Sequence, residues 1–249
     1  MDTYNSAGKI SAGSYDLNKW LYGGYEKDVI TMIAGPPGSG KTNMCILAAC
    51  SQAKKGGKVI FVDTEGGFSV ERVKQIVGKD YEEILKNIFL LEPTNYDEQI
   101  KSFSQLLNKL KKGHARLIVI DSMANLYRLE LGEAAKSGEQ SERLIRELNS
   151  KVAQQMRVLS EISRKQKIPI IITNQVDSEF LSEEEMKKGV KKEVNLVGGD
   201  LLKYWSKCII ELKIENRKRK AILLKHRSLP IKEMNFEIRE KGIFRRTWI

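Results

Sequence analysis

The sequence predicts an α/β fold in which a mostly parallel central sheet is flanked by helices and followed by a C-terminal β-hairpin extension. Three observations lead there. Short aliphatic runs alternate with longer helical patterns. The runs lack polar alternation, as strands buried on both faces do. Beyond residue 206 the helical pattern gives way to closely spaced β-like runs.

The 249 residues suffice for one large α/β domain. Residues 1–10 read as a short polar tail without the apolar stretch of a signal peptide, and 11–249 as one core. No run approaches the roughly 18 apolar residues of a membrane span. The three cysteines, Cys45, Cys50 and Cys208, have no metal-ligand spacing, and their odd number argues against a disulfide framework. A cytoplasmic, nucleoid-associated protein is expected. The net charge of +11 favours a polyanionic partner, usually nucleic acid, although a solvated lysine-rich surface would give the same total.

The first strand, 29–34, runs into Gly35-Pro36-Pro37-Gly38-Ser39-Gly40-Lys41-Thr42, which fits G-x-x-x-x-G-K-[ST] at every position. Glycines allow the backbone angles that turn N–H groups inward around a phosphate. The helix that follows, about 41–52, adds the positive end of its dipole. Lys41 supplies a mobile charge for the β and γ phosphates, and the Thr42 hydroxyl is a hard oxygen ligand for Mg²⁺. The implied ligands are ATP and Mg²⁺.

The second strand, 58–63, is followed by Glu65, a carboxylate placed to orient a water for in-line attack. The third is 87–92. The fourth, 117–121, ends in Asp121, which at the carboxyl end of a parallel strand lies beside the phosphate loop and can hold Mg²⁺ through water. A helix over 139–167 carries Ile145, Leu148, Val152, Leu159 and Ile162 on one face. The fifth strand, 168–173, leads to Gln175, whose amide can touch the γ-phosphate and relay its presence onward. Lys41, Glu65 and Gln175 are thus the candidate catalytic residues.

Residues 177–197 form a charged stretch too long for a plain connection. Its Lys187, Lys188, Lys191 and Lys192 are candidate phosphate contacts, diluted by Glu183, Glu184, Glu185 and Glu193. Runs 207–213 and 220–225 read as a hairpin turning over 215–219, and 235–239 as one more strand. Seven Lys or Arg fall between residues 213 and 227 against the single acid Glu215. A hairpin tip carrying Arg217, Lys218, Arg219 and Lys220 would follow a phosphate backbone without reading sequence. Arg128, beside Tyr127, is a further candidate contact after the Asp121 strand.

In this order the motifs resemble the RecA-type recombinase superfamily and, within it, the archaeal RadA/RadB group. The resemblance covers nearly the whole chain. It rests on Ser11 to Gly24 ahead of the phosphate loop, Val62-Asp63-Thr64-Glu65, Asp121-Ser122, Thr173-Asn174-Gln175-Val176 and Val197-Gly198-Gly199-Asp200. Asn43 after the loop, Glu65-Gly66-Gly67-Phe68-Ser69 and Lys225-His226-Arg227-Ser228-Leu229-Pro230 are closer to the RadB branch, and there is no room for the N-terminal helical domain of RadA. The resemblance implies an accessory protein of recombination and repair that binds DNA and ATP, hydrolyses ATP weakly and assists strand exchange rather than performing it. A RadA-type recombinase or another repair protein is the implied partner. RadA filaments join through Phe-x-x-Ala; here Tyr4-Asn5-Ser6-Ala7 has a different aromatic, so homo-oligomers are compatible with the sequence but long filaments are not expected. In RecA- and KaiC-like assemblies a late strand reaches a neighbour's γ-phosphate, which makes Lys225 and Arg227 a candidate trans finger. A KaiC-like regulatory ATPase acting on protein partners is the alternative reading.

Overall fold

The computed structural model describes residues 8–113, 115–178, 194–196 and 199–246. Nine strands form one sheet in the order β13-β12-β11-β10-β3-β7-β6-β4-β5. Its parallel part joins β3 (Ile30–Ala34), β4 (Lys58–Asp63), β5 (Ile88–Leu91), β6 (Ala115–Asp121), β7 (Ile170–Asn174) and β10 (Cys208–Glu215). The antiparallel extension is β11 (Lys218–Lys225), β12 (Lys232–Arg239) and β13 (Gly242–Arg245). The expected α/β fold is therefore present, with the hairpin grown by a second one, since β13 carries too few apolar residues to stand out in the sequence.

The parallel strands are aliphatic because both faces are covered. Leu117, Ile118, Val119 and Ile120 are all fully buried and alternate between two cores. At about 1.5–3 kcal/mol for each such side chain, this strand anchors the two layers together. One layer centres on α2 (Lys41–Ala53), whose residues from Met44 to Cys50 are all buried. A helix buried all round needs cover on its outer side. That cover comes from α1 (Tyr15–Trp20), α3 (Val70–Val77) and β13, through Leu17, Val73 and Ile243. The Ser14 hydroxyl caps α1 by accepting from Leu17 N and donates to Ile243 O at 2.5 Å, and Arg245 N donates to Asp16 at 2.8 Å. The first and last parts of the described chain are thereby tied together.

Between these helices lies α4 (Tyr81–Leu85), and the opposite layer holds α5 (Tyr96–Lys112), α6 (Asn125–Ala135) and α7 (Ser141–Gln166). Val152, Leu159 and Ile162 of α7 are buried there, as the periodicity requires, whereas Leu148 is only partly covered. The fold already includes residues ahead of position 11. β1 (Lys9–Ile10) pairs with β2 (Tyr25–Glu26), and Ile10 is buried. The hairpin turn is tighter than expected, consisting of Asn216 and Arg217 with φ of 50° and 60°. That is the conformation two-residue hairpin turns require. β8 (Val176–Ser178) and β9 (Val194–Leu196) form a small antiparallel ribbon at the base of the charged stretch. Lys187, Lys188, Lys191 and Lys192, and Tyr4 to Ala7, lie outside the described residues. Among the described residues no helix is long and apolar enough to cross a membrane.

Candidate nucleotide site

The phosphate loop hangs between the end of β3 and the start of α2, where Gly40 caps the helix at φ 110°. A close backbone approach requires glycine at 35, and positive φ favours it at 38 (71°) and 40 (110°). A Cβ on Gly35 would lie 2.7 Å from Leu212 O, and one on Gly40 would lie 2.9 Å from Ile238 Cδ1. β10 and the extension strand β12 thus pack against the loop from outside. Lys41 is buried and folds back, donating from Nζ to Gly35 O at 2.9 Å and Pro36 O at 3.1 Å. Burial lowers its pKa, while Glu65 and Asp121 act to raise it. A phosphate would replace two neutral carbonyls with a full counter-charge.

Asp121 ends β6 next to Asp63 of β4, in register with it. Its Oδ1 accepts from the Thr173 hydroxyl, and its Oδ2 is buried without a hydrogen-bond partner. Burial pushes the carboxyl up to about 6, against the Thr173 and Thr42 hydroxyls, which pull it down. A buried carboxylate oxygen with no partner, beside a threonine hydroxyl, fits a hard cation and its water shell. Thr42 and Asp121 are the residues that would hold Mg²⁺.

Glu65 is exposed at the mouth of the site. Its loop is shaped by Asp63, a buried carboxylate that accepts from Glu65 N at 3.2 Å, Gly67 N at 3.1 Å and Phe68 N at 2.7 Å. Thr64 bonds Ser122 in both directions at 2.9 Å, beside the cis Asp121–Ser122 peptide. The Glu65 tip and the Asp121 strand end are therefore tied together. Gln175, just past β7, donates to Glu65 Oε1 at 3.2 Å. Lys41, Thr42, Glu65, Asp121 and Gln175 all gather at the carboxyl end of the parallel strands, as the sequence led us to expect.

Other residues fall differently. Arg219 donates from Nε and Nη2 to Gly38 O at 3.3 and 3.2 Å, so it braces the phosphate loop. Lys220 pairs with Glu215 and Glu233, and Lys213 with Glu211. The four basic residues at 217–220 therefore do not form one row: strand alternation sends Lys218 and Lys220 to one face and Arg219 to the other. Lys225 pairs with Ile209 across from the start of β3, and its Nζ donates to Lys203 O. Arg227 is gripped by Asp28 (2.6 and 3.1 Å) and Glu26 (3.0 Å) of its own chain. Both stand at the opposite end of β3 from the phosphate loop. Arg128 is exposed on α6, whereas Tyr127 is buried and donates to Asn149.

Sequence reasoning missed Asp63, Thr173 and Arg72. Asp63 ahead of Gly66-Gly67 was a readable turn signal. Arg72 bridges α2 to the β12–β13 turn through Asn43 Oδ1 at 2.7 Å and the carbonyls of Arg239 and Glu240 at 2.9 Å. Partners as far as 168 residues away leave no local trace.

A family model described as Rad51 matches residues 5–246, nearly the whole chain and every strand of the main sheet. The chain belongs to the Rad51 family. Within it, RadB proteins are among the similar curated relatives. The chain is 40% identical over 231 residues to the DNA repair and recombination protein RadB of Methanosphaera stadtmanae, covering 91% of this chain and 92% of the relative. It is 39% identical to the protein of that name from Methanobrevibacter smithii, with coverage of 91% and 92%, and 39% identical to that of Methanocaldococcus jannaschii, with coverage of 91% and 98%. The RadB branch of the RecA superfamily, indicated by Glu65 to Ser69 and Lys225 to Pro230, is therefore the right one.

Proposed function

We propose that this member of the Rad51 family is an ATP- and DNA-binding accessory protein of homologous recombination and repair, a weak Mg²⁺-dependent ATPase without strand exchange of its own. The observation that carries the reading is the convergence of Lys41, Thr42, Asp121 with its unpartnered Oδ2, and Glu65 held by Gln175, at one strand end. The names of the RadB relatives support the recombination half.

In this reading the amides of Gly38 to Thr42 cradle the phosphates, and Lys41 leaves the Gly35 and Pro36 carbonyls for the β and γ oxygens. Mg²⁺, when bound, neutralises charge developing on the transferred phosphoryl group. Glu65 orients the attacking water and takes its proton; Gln175 fixes the carboxylate that does so. Turnover is slow because Lys225 and Arg227 are too far from the chain's own loop to compensate that charge, and Arg227 is already engaged by Asp28 and Glu26. DNA is held through its phosphates, without sequence preference, with Arg217 and Lys218 at the hairpin and Arg128 as contacts. Partners are DNA and a RadA-type recombinase or other repair protein.

The deciding experiment measures single-stranded DNA binding over a salt series with and without Mg-ATP, beside ATP turnover of Glu65→Gln. Salt-dependent binding with turnover lost in the variant supports the reading. Negligible DNA binding at low salt, with turnover intact, would favour a KaiC-like ATPase acting on proteins.

A further inference from the structure

The parallel strands have two unlike ends. Their carboxyl ends hold the phosphate loop, Glu65, Asp121 and Gln175, while the amino ends carry no assigned role. Three recesses lie in a row along those amino ends, in the sheet order β10-β3-β7-β6-β4-β5. The first, about 1010 Å³, opens beside Val29, Ile30 and Lys207 and is lined by Arg157, Arg164, Lys165, Lys167 and Arg227, with Asp28 and Glu161 as its carboxylates. The second, about 640 Å³, shares Lys167 and adds Lys9, Lys27, Lys55 and Arg116 without a carboxylate. The third, about 320 Å³, touches the second at Ala115 and adds Lys58, Lys86, Lys109 and Lys112, again without a carboxylate.

Part of this charge has a structural cause. Lys55, Lys112 and Lys165 sit at the C-terminal ends of α2, α5 and α7, where the helix dipole favours cations. Lys58, Arg116 and Lys207, however, stand at the starts of β4, β6 and β10, and Lys9 on β1, where no dipole calls for them. Lys86, Lys165, Lys167 and Arg227 are paired with Glu83, Glu161 and Asp28, but the other cations collected along this edge repel one another, a cost that a polyanion would relieve.

We propose that the amino edge of the parallel sheet is a second nucleic-acid surface, which holds the phosphate backbone of a duplex on the side opposite the nucleotide site. The inference takes nucleic acid as the ligand from the proposed function, but needs none of the hairpin contacts named there. Six strands about 4.8 Å apart make an edge of about 24 Å, which spans about seven phosphates of one duplex strand. Single strands are held by aromatic platforms. Among the described residues lining these recesses, the strongly exposed aromatic is Tyr204, 68% exposed at one end, while Lys109 Nζ lies 3.9 Å over the Phe89 ring. The chemistry is that of a phosphate track. Because the two ends of the sheet are separate, duplex and ATP can be bound together.

The test is fluorescence anisotropy of a short labelled duplex with the full chain across a salt series. It compares wild type, Lys58→Ala/Arg116→Ala/Lys207→Ala and the hairpin variant Arg217→Ala/Lys218→Ala. The edge variant should bind the duplex at least tenfold more weakly and lower the log–log salt slope by about two to three, one for each lost phosphate contact. Its melting temperature and ATP turnover should match wild type. Wild-type affinity and slope in a folded edge variant would overturn the proposal, and a loss confined to the hairpin variant would do so while leaving the proposed function standing. Absence of any wild-type DNA binding would sink both. Displacement of the duplex by polyglutamate at equal charge concentration would also overturn it and point to an acidic protein segment.

Discussion

Gln175 Nε2 lies 3.2 Å from Glu65 Oε1, joining the ends of β7 and β4 across 110 residues. In the proposed mechanism this amide would orient the carboxylate toward the attacking water, and the ribbon of β8 and β9 starts one residue later. Glu65→Gln should lower kcat by at least 10²-fold and leave nucleotide affinity within about twofold. Gln175→Ala should lower kcat by about tenfold with little change in KM. Turnover of Gln175→Ala equal to wild type would show that the contact is incidental.

Arg219 gives a second test, because the sequence placed it on DNA and the structure places it on Gly38. A solvent-accessible bond of this kind contributes on the order of 1 kcal/mol. Arg219→Ala should weaken binding of a fluorescent ATP analogue about fivefold, whereas Arg217→Ala should spare the nucleotide. Equal losses of DNA affinity with no nucleotide effect would return Arg219 to the DNA-binding set.

Asp121 sets a pH dependence. Its folded pKa of about 6 lies above the usual aspartate value, so its contribution to stability is fully present below the unfolded pKa and is lost as pH rises through about 6. Asp121→Asn should therefore raise the melting temperature of the nucleotide- and Mg²⁺-free protein at pH 7.5, by an amount equivalent to about 2–3 kcal/mol. The gain should disappear near pH 4. The same variant should lose the stabilisation that Mg-ATP confers on wild type. A variant less stable than wild type throughout this range would show that hydrogen bonding to Thr173 outweighs desolvation.

Arg227 separates a structural from an intermolecular role. It neutralises Asp28 and the buried Glu26, whose Oε1 accepts from Arg227 Nε at 3.1 Å. Removing one partner of a fully buried pair costs about 3–5 kcal/mol. Because the Arg227 side chain is 46% exposed, Arg227→Ala should cost nearer 2 kcal/mol, about 4–8 °C in melting temperature. Specific activity of both proteins should be independent of concentration. A rise with concentration in wild type alone would establish the trans finger.

Local chemistry made much of this protein legible. The aliphatic runs for β3, β4, β5, β6 and β7, the phosphate loop, and the acids Glu65 and Asp121 at strand ends follow from patterns within a few residues. Strand order carries them to one edge, because consecutive parallel strands must present the same end to the same side. The sequence by itself thus determined the fold class and the location of the phosphate chemistry. Tertiary structure alone decided that Arg219 braces Gly38, that Thr173 holds Asp121, and that Arg227 is held by Asp28 and Glu26. Those pairs are 181, 52 and 199 residues apart. Tertiary structure also assembled the basic edge, whose lysines and arginines are scattered from Lys9 to Arg227 and share only their nearness to strand starts and helix ends. Charge has no periodicity to reveal such a surface. It exists only after the non-consecutive strand order has put those ends side by side.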